Sequence, residues 1–137
     1  MSEENVEIVR RVYDAVSRGD TETVLAAYDP DVETEFSRSP FAGVLKRSVY
    51  RGHEGLRSFF RERYQEAWAD IEDTCEELID AGENVISVVN TRGRGRASGA
   101  EVERTHYGVW TIQQGRIVRV VWLGTRTEAL EAAGLSE

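Results

Sequence analysis

The sequence contains very little cysteine, proline or histidine, and each shortage excludes a class of protein. Cys75 is the single cysteine, so we expect neither an intrachain disulfide nor a cysteine-based metal site. Two prolines and twelve glycines in 137 residues argue against a linker-rich or disordered chain. The two histidines, His53 and His106, form no His-x-Glu or His-x-x-x-His pattern, so we expect no metal ion.

Long apolar runs and an excess of positive charge are also missing. No apolar run approaches the roughly 20 residues that a membrane span needs. The formal net charge is -8, and an acidic surface repels phosphate backbones and anionic lipids. We therefore expect neither nucleic acid nor a membrane as a partner. The acidic, polar start of the sequence is not a signal peptide, which makes a cytoplasmic location the default expectation.

The composition that remains is that of one folded domain spanning residues 1–137, with 40% hydrophobic and 31% charged residues. Hydrophobic periodicity and turn residues predict the order αα-β-α-ββββ-α, with consecutive hairpins forming an antiparallel sheet. The predicted elements are helices over 6–16, 21–28, 53–67 and 125–134, and strands over 32–36, 71–79, 85–97, 102–112 and 116–123.

The most informative stretch is 50–55, where a short strand runs into a glycine turn that opens the third helix. That helix carries Phe59, Phe60 and Tyr64 at helical spacing. The loop 37–48 has an apolar centre, which is typical of a loop that folds over something. A helical half followed by one long curved sheet would make a cone with an open mouth, and such a cone can hold a small molecule.

An ordered set of short motifs runs along nearly the whole chain. It consists of Gly19-Asp20, Asp29-Pro30-Asp31-Val32, Tyr50-Arg51-Gly52-His53-Glu54-Gly55, Trp68, Glu77-Leu78-Ile79-Asp80, Gly93-Arg94-Gly95-Arg96, Trp110-Thr111, Gly115-Arg116-Ile117, and Glu128-Ala129-Leu130 before Gly134-Leu135. In this set the chain resembles the SnoaL-like group of the NTF2-like superfamily, which is related to polyketide cyclases and ketosteroid isomerases. The resemblance implies an α+β cone (a cystatin-like α+β barrel) with N-terminal helices packed on a curved antiparallel sheet. It also implies a pocket between the third helix and the sheet, and commonly a homodimer. Members include isomerases, cyclases, dehydratases, epoxide hydrolases and non-catalytic binders, so the fold does not settle the activity.

The chain departs from the polar pattern of these families at three positions. Phe36 stands where relatives of the ketosteroid isomerase kind carry a general-base aspartate. Gly108 stands where many SnoaL-like relatives place a histidine, and Trp122 where they often place a carboxylate on the last strand. These replacements favour an apolar ligand, or a catalytic arrangement that the sequence does not reveal.

Strand parity selects His106 as the candidate acid or base. Because side chains alternate along a strand, His106 shares a face with Trp110 and would look into the cone if Trp110 does. Tyr13 and Tyr64 are the candidate hydroxyl donors to an oxyanion. The alternative for each is a structural role: a rim histidine, or a core aromatic whose hydroxyl reaches a local partner. The ligand-binding residues predicted beside them are Phe36, Tyr50, His53, Phe59, Phe60, Trp110 and Trp122. For His53, at the start of the third helix, fixing the 50–55 corner is the favoured alternative.

Two functional hypotheses follow. The first is a pocket protein that acts on a small apolar carbonyl or hydroxyl compound by isomerase- or cyclase-type proton transfer, without metal or organic cofactor. The second is a non-catalytic ligand binder or a dimeric structural module. Tyr107, Val109, Val121 and Leu123 fall on the sheet face opposite the predicted pocket. We expect this apolar face to be exposed and to form a two-fold homodimer.

Overall fold

The computed structural model describes residues 2–135 and contains four α-helices and a six-stranded sheet within that range. The helices are α1 Ser2–Ser17, α2 Thr21–Ala26, α3 Gly52–Arg61 and α4 Arg126–Ala132. The strands are β1 Tyr28–Arg38, β2 Val49–Arg51, β3 Trp68–Ala81, β4 Asn84–Gly95, β5 Glu101–Gln113 and β6 Arg116–Leu123. A 3₁₀ turn, Ala42–Val44, lies between β1 and β2, and a π-helical segment, Glu62–Ala67, continues α3. The predicted α+β architecture is confirmed.

The sheet is curved and not closed, with strand order β2-β1-β6-β5-β4-β3. Strands β3 to β6 form consecutive antiparallel hairpins, as predicted from their turns. β1 is antiparallel to β2 but parallel to β6, with Thr34 opposite Val120. Because Val120 also lies opposite Trp110 of β5, these three residues form one row across the sheet.

Local signals in the sequence account for several of the element ends. Asp20 caps α2, since its carboxylate accepts a hydrogen bond from the Thr23 N–H at 3.2 Å. Gly52 begins α3 at φ 68°, a left-handed conformation that glycine adopts without strain. Thr125 caps α4 by accepting from the Glu128 N–H at 3.2 Å. The caps and the glycine set the directions in which the helices approach the sheet.

Several predicted boundaries are wrong, and three of them have a clear physical reason. Tyr28 belongs to β1 and not to the second helix, because it pairs with Ile117 of β6 in the parallel ladder. The third helix is α-helical only to Arg61, and its last turn widens into the π-helical segment. β3 begins at Trp68, before the predicted start at residue 71, because its N-terminal end continues the ladder with β4.

The main core lies between the concave face of the sheet and helices α1 to α3. Val9, Val12 and Ala15 of α1 are buried there, at the helical spacing that the sequence shows. They pack with Leu56 of α3 and with Trp110 of β5. This packing fixes the positions of α1 and α3 relative to the sheet.

The opposite face of the sheet is covered by α4. Val109, Val121 and Leu123 are buried there with Ala129 and Ala133, and Tyr107 is partly buried against the same cluster. The prediction that this face is exposed is therefore wrong, because the chain's own C-terminal helix covers it. The argument for a homodimer through Tyr107, Val109, Val121 and Leu123 loses its basis.

Candidate functional site

A cavity of about 80 Å³ lies between α1, α3 and the concave face of the sheet. Its wall is mostly aromatic and aliphatic, and the loop after β1 contributes Phe41, Val44 and Leu45 to it. The predicted residues that line it are Tyr13, Phe36, Phe59, Phe60, Tyr64, His106, Trp110 and Trp122. The structure therefore brings eight of the predicted site residues to one cavity.

Phe36 lies at the centre of the aromatic wall. Its ring stacks on Phe59 with the centroids 4.7 Å apart, and it lies nearly parallel to Trp122 at 6.4 Å. Trp122 in turn meets Trp110 edge to face at 6.0 Å. A flat apolar molecule would find ring faces and edges on this side of the cavity.

Two predicted ligand-binding residues do not line this cavity. Tyr50 is fully buried behind Phe36, and its hydroxyl donates to Glu62 at 2.5 Å. The His53 Nε2 lies 2.9 Å from the Tyr28 carbonyl oxygen. Since a carbonyl only accepts, this nitrogen carries the hydrogen and ties α3 to β1. His53 therefore has the structural role given above as its alternative, because it fixes the 50–55 corner against β1.

Tyr13 and Tyr64 both line the cavity, but their hydroxyls have protein partners. The Tyr13 hydroxyl donates to Ser87 Oγ at 2.9 Å, and the Trp110 indole N–H donates to the same oxygen at 2.9 Å. Burial raises the pKa of Tyr13 well above its ordinary value, so the hydroxyl stays protonated. Tyr64 is 40% exposed, and its hydroxyl lies near Arg63 and Asp73.

His106 is held by a chain of polar side chains that the sequence analysis did not identify. Thr91 donates its hydroxyl hydrogen to Asp73 Oδ1 at 2.5 Å, and Thr91 Oγ1 lies 2.8 Å from His106 Nε2. Arg63 donates to the same Asp73 oxygen at 2.5 Å. All four side chains are largely shielded from solvent. We call Arg63, Asp73, Thr91 and His106 the polar chain.

The sequence does indicate one member of the polar chain. Arg63 lies seven residues after Leu56, so in the predicted third helix, 53–67, it falls on the apolar face and not on the solvent face. A charged residue on such a face usually has a buried partner. Asp73 belongs to a strand rich in acidic residues, whose pattern is typical of a solvent-exposed edge. Only the pairing of β3 with β4, which places Asp73 opposite Thr91, distinguishes Asp73 from its acidic neighbours.

The environment of His106 favours the neutral ring. Burial, reinforced by the positive charge of Arg63, lowers the pKa of His106 to about 4, and the opposing effect of Asp73 is smaller. The rings of Phe41 and Trp122 each lie 5.1 Å from the imidazole centroid. His106 Nδ1 is buried and has no hydrogen-bond partner among the described residues. A buried nitrogen without a partner is costly unless something else satisfies it.

A second buried polar atom in the cavity wall lacks a partner within residues 2–135. The Thr34 hydroxyl on β1 is shielded from solvent and makes no hydrogen bond there. Thr34 lies in the row of Val120 and Trp110, and His106 lies four residues along β5 from Trp110. Four residues of a strand span about 13 Å, so the two unpartnered groups belong to different ends of the cavity wall.

Gly108, which lies between His106 and Trp110, is a glycine for steric reasons. A Cβ at this position would lie 2.8 Å from Ser87 Oγ and 3.0 Å from Cη2 of Trp122. The space that a histidine would need here is taken by the indole of Trp122 and by the Ser87 hydrogen bonds. Across the described part of the chain, no three His, Cys, Asp or Glu side chains are grouped to hold a metal ion. No helix there is long and apolar enough to cross a membrane.

Comparison with known proteins gives a consistent family and fold. A family model described as the SnoaL-like domain matches residues 9–120. An NTF2-like protein of Burkholderia thailandensis is 31% identical, with 96% of this chain and 97% of that chain covered and a TM-score of 0.74. An NTF2-like protein of unknown function from Burkholderia pseudomallei is 25% identical, with 93% and 95% covered and a TM-score of 0.76. A Mycobacterium tuberculosis protein in complex with estradiol-17beta-hemisuccinate is 17% identical, with 90% and 95% covered and a TM-score of 0.70. A comparison with curated proteins found no match.

Proposed function

Because the chain belongs to the SnoaL-like family of NTF2-like proteins, we propose that its cavity binds a small, mostly apolar molecule and that His106 moves a proton on it. The observation that carries this proposal is the state of His106. Its Nε2 is engaged with Thr91, whereas its Nδ1 is buried without a partner in a residue that lines the cavity. A base or acceptor kept away from water in an apolar site is suited to meet a ligand.

The wall chemistry supports an apolar, ring-containing ligand. Stacked Phe36, Phe59 and Trp122 offer dispersion contacts and few polar ones. The steroid derivative bound by the mycobacterial neighbour is of this kind, and it supports the same class of ligand here. The unpartnered groups of Thr34 and His106 favour a molecule with a polar group at each end.

The proposed chemistry is a proton shift within one molecule. His106 Nδ1 takes a proton from an enol hydroxyl or from a carbon next to a carbonyl, the bonding pair stays on the substrate as an enolate, and the same nitrogen returns the proton at another atom of that enolate. Asp73, linked to the ring through Thr91, attracts the imidazolium formed in between, whereas Arg63 repels it and has the larger effect. No oxidant, reductant or second substrate is required.

The loop after β1 would have to move for a larger ligand to enter. Sites for drug-sized ligands measure about 300 Å³ or more, whereas this cavity measures about 80 Å³. The loop is held by Glu62, which accepts from the Lys46 N–H at 3.1 Å, and by the exposed Lys46–Glu66 ion pair at 2.7 Å. The Arg47 N–H also donates to the Tyr50 hydroxyl at 3.3 Å, and Phe41 packs against both Trp68 and His106. Outward movement of Phe41 would open the cavity at the polar chain.

The second candidate function is ligand binding without catalysis. It is favoured by the low proton affinity of His106, whose pKa of about 4 makes it a weak base at neutral pH. A homodimer is also proposed from the family resemblance alone, because the apolar face first considered for it is covered by α4.

Tryptophan fluorescence tests the binding proposal, since Trp110 and Trp122 line the cavity. Steroid-like and polyaromatic probes should quench it saturably, and sugar phosphates should not. Equal responses to both classes of probe would contradict the apolar cavity. His106→Ala then separates the two functions: in an enzyme it should lower turnover about 100-fold or more while binding persists. A folded His106→Ala protein with unchanged turnover would remove His106 from the mechanism, and thermal melting checks the folding.

A further inference from the structure

Thr91 has one hydroxyl hydrogen, and the direction of that hydrogen determines which atoms of the polar chain donate and which accept. Thr91 Oγ1 lies between two groups, Asp73 Oδ1 at 2.5 Å and His106 Nε2 at 2.8 Å. An ionised carboxylate can only accept, so the Thr91 hydrogen goes to Asp73. Thr91 then has only lone pairs to offer to His106, and the hydrogen of that second contact must come from Nε2.

Arg63 maintains this direction by keeping Asp73 an acceptor. The guanidinium donates to Asp73 at 2.5 Å, and the Arg63 side chain is 10% exposed. A buried guanidinium needs a carboxylate partner, because its own charge would otherwise be uncompensated. Reversing the Thr91 hydroxyl would point its hydrogen away from that carboxylate. Asp73, which lines the cavity together with Arg63, is linked to His106 through Thr91.

The protonation of Nδ1, the other ring nitrogen of His106, follows from the number of hydrogens on the ring. A neutral imidazole carries one N–H, and the polar chain places it on Nε2. Nδ1 is therefore a bare lone pair, buried beside the rings of Phe41 and Trp122 and without a partner in the part of the chain that is described. A lone pair attracts a hydrogen and repels another lone pair.

We infer that Asp73 and Thr91 are positioning residues that fix His106 as the Nε2–H tautomer, so that the ligand group next to Nδ1 is a hydroxyl, as in a phenol or an enol, and not a carbonyl or an ether. This inference rests on the proposed function of the cavity and narrows its ligand class. The sequence left carbonyl and hydroxyl compounds equally open. The carbonyl of a two-ended ligand would then lie at the Thr34 end, where a hydroxyl can donate to it.

The tautomer can be measured directly, because the sequence has only two histidines. Long-range ¹H–¹⁵N spectra of the ¹⁵N-labelled protein at pH 7 separate protonated from unprotonated ring nitrogens, and a His53→Gln variant assigns the signals of His106. We expect Nε2 protonated and Nδ1 unprotonated. A hydrogen on Nδ1, or a ring that exchanges between both tautomers, would overturn the inference.

A matched ligand pair tests the consequence. 2-Naphthol and 2-methoxynaphthalene have the same ring system, but only the first can donate a hydrogen bond. Titration calorimetry should show naphthol binding about tenfold more tightly, the effect of one buried hydrogen bond. Equal affinities would leave the cavity proposal intact and refute the hydroxyl preference. Failure of both compounds to bind would refute the proposed function, and this inference with it.

Thr91 variants separate positioning from a merely structural role. Thr91→Ser keeps the hydroxyl and should retain both the tautomer and the tenfold selectivity. Thr91→Val removes the acceptor for Nε2, so the affinity ratio of the two naphthalenes should fall toward one while thermal melting still shows a cooperative transition. Equal ratios in the two variants would show that Thr91 does not set the tautomer. If Thr91→Val does not fold, the ring nitrogen spectrum of the Thr91→Ser protein decides, since a changed tautomer there overturns the inference.

Discussion

A buried neutral histidine makes the stability of this protein depend on pH in a defined window. In the unfolded chain His106 has its ordinary pKa of 6.5, whereas burial and Arg63 lower its pKa in the folded protein to about 4. As the pH falls below 6.5, the unfolded chain binds a proton at this position and the folded protein does not. Acid therefore favours unfolding, and the stabilising effect present above pH 6.5 is lost progressively down to about pH 4.

The size of the effect follows from the two pKa values. The contribution of His106 to the free energy of unfolding falls by about 2 kcal/mol between pH 7 and pH 5, and by about 3 kcal/mol between pH 7 and pH 4. Such a loss is a large fraction of the stability of a typical domain. Urea unfolding followed by tryptophan fluorescence at pH 5, 6 and 7 measures it.

A His106→Gln variant supplies the control, because it keeps an N–H that can donate to Thr91 but does not titrate. The carboxylates of the chain titrate in both proteins, so the difference between the two pH curves isolates the histidine. Wild type should lose about 2 kcal/mol more than the variant between pH 7 and pH 5. Curves that stay parallel within about 0.5 kcal/mol would refute a neutral, buried His106.

Two substitutions test the packing of the cavity wall. Thr34→Val removes the buried hydroxyl that lacks a partner, so the free energy of unfolding should rise by about 1 kcal/mol, while a ligand that uses this hydroxyl should bind more weakly; a lower melting temperature would contradict this. Gly108→Ala places a Cβ 2.8 Å from Ser87 Oγ and 3.0 Å from Trp122, so it should cost about 1–3 kcal/mol in urea unfolding. Gly124→Ala is the matched control, because its Cβ meets nothing nearer than 3.9 Å, and we expect a change within about 0.5 kcal/mol.

Local chemistry made most of the fold predictable. Helical spacing in the first helix, the glycine corner before the third and the turns between β3 and β6 act over a few residues, and sequence periodicity records such effects. Strand parity also placed His106 and Trp110 on one face, and both line the cavity. The parallel pairing of β1 with β6 depends on residues about 90 positions apart, such as Tyr28 and Ile117, so no local pattern reveals it.

The polar chain was less predictable because its members are remote in sequence and each has an ordinary local explanation. Asp73 belongs to a run of acids, Thr91 to a β-branched strand and Arg63 to a charged helix. Their meaning comes from the register of β3 with β4 and from the packing of α3 on the sheet. The covering of the outer face by α4 was missed for a similar reason, since a capping pattern locates a helix but not the surface on which it packs.

Phe36, Gly108 and Trp122, the three positions where the family resemblance led us to expect polar residues, are physically coupled. The missing Cβ of Gly108 leaves room for the indole of Trp122, and Trp122 lies nearly parallel to Phe36, at 6° and 6.4 Å. A histidine at 108 would displace Trp122, and a carboxylate in place of Phe36 would face the ring of Phe59 at the stacking distance of 4.7 Å without a partner. The three positions thus pack as one unit, and a polar residue could not replace any one of them without disturbing the other two. The proton chemistry proposed for this cavity depends on His106, two residues before Gly108 on β5, where Thr91 and Asp73 hold the ring.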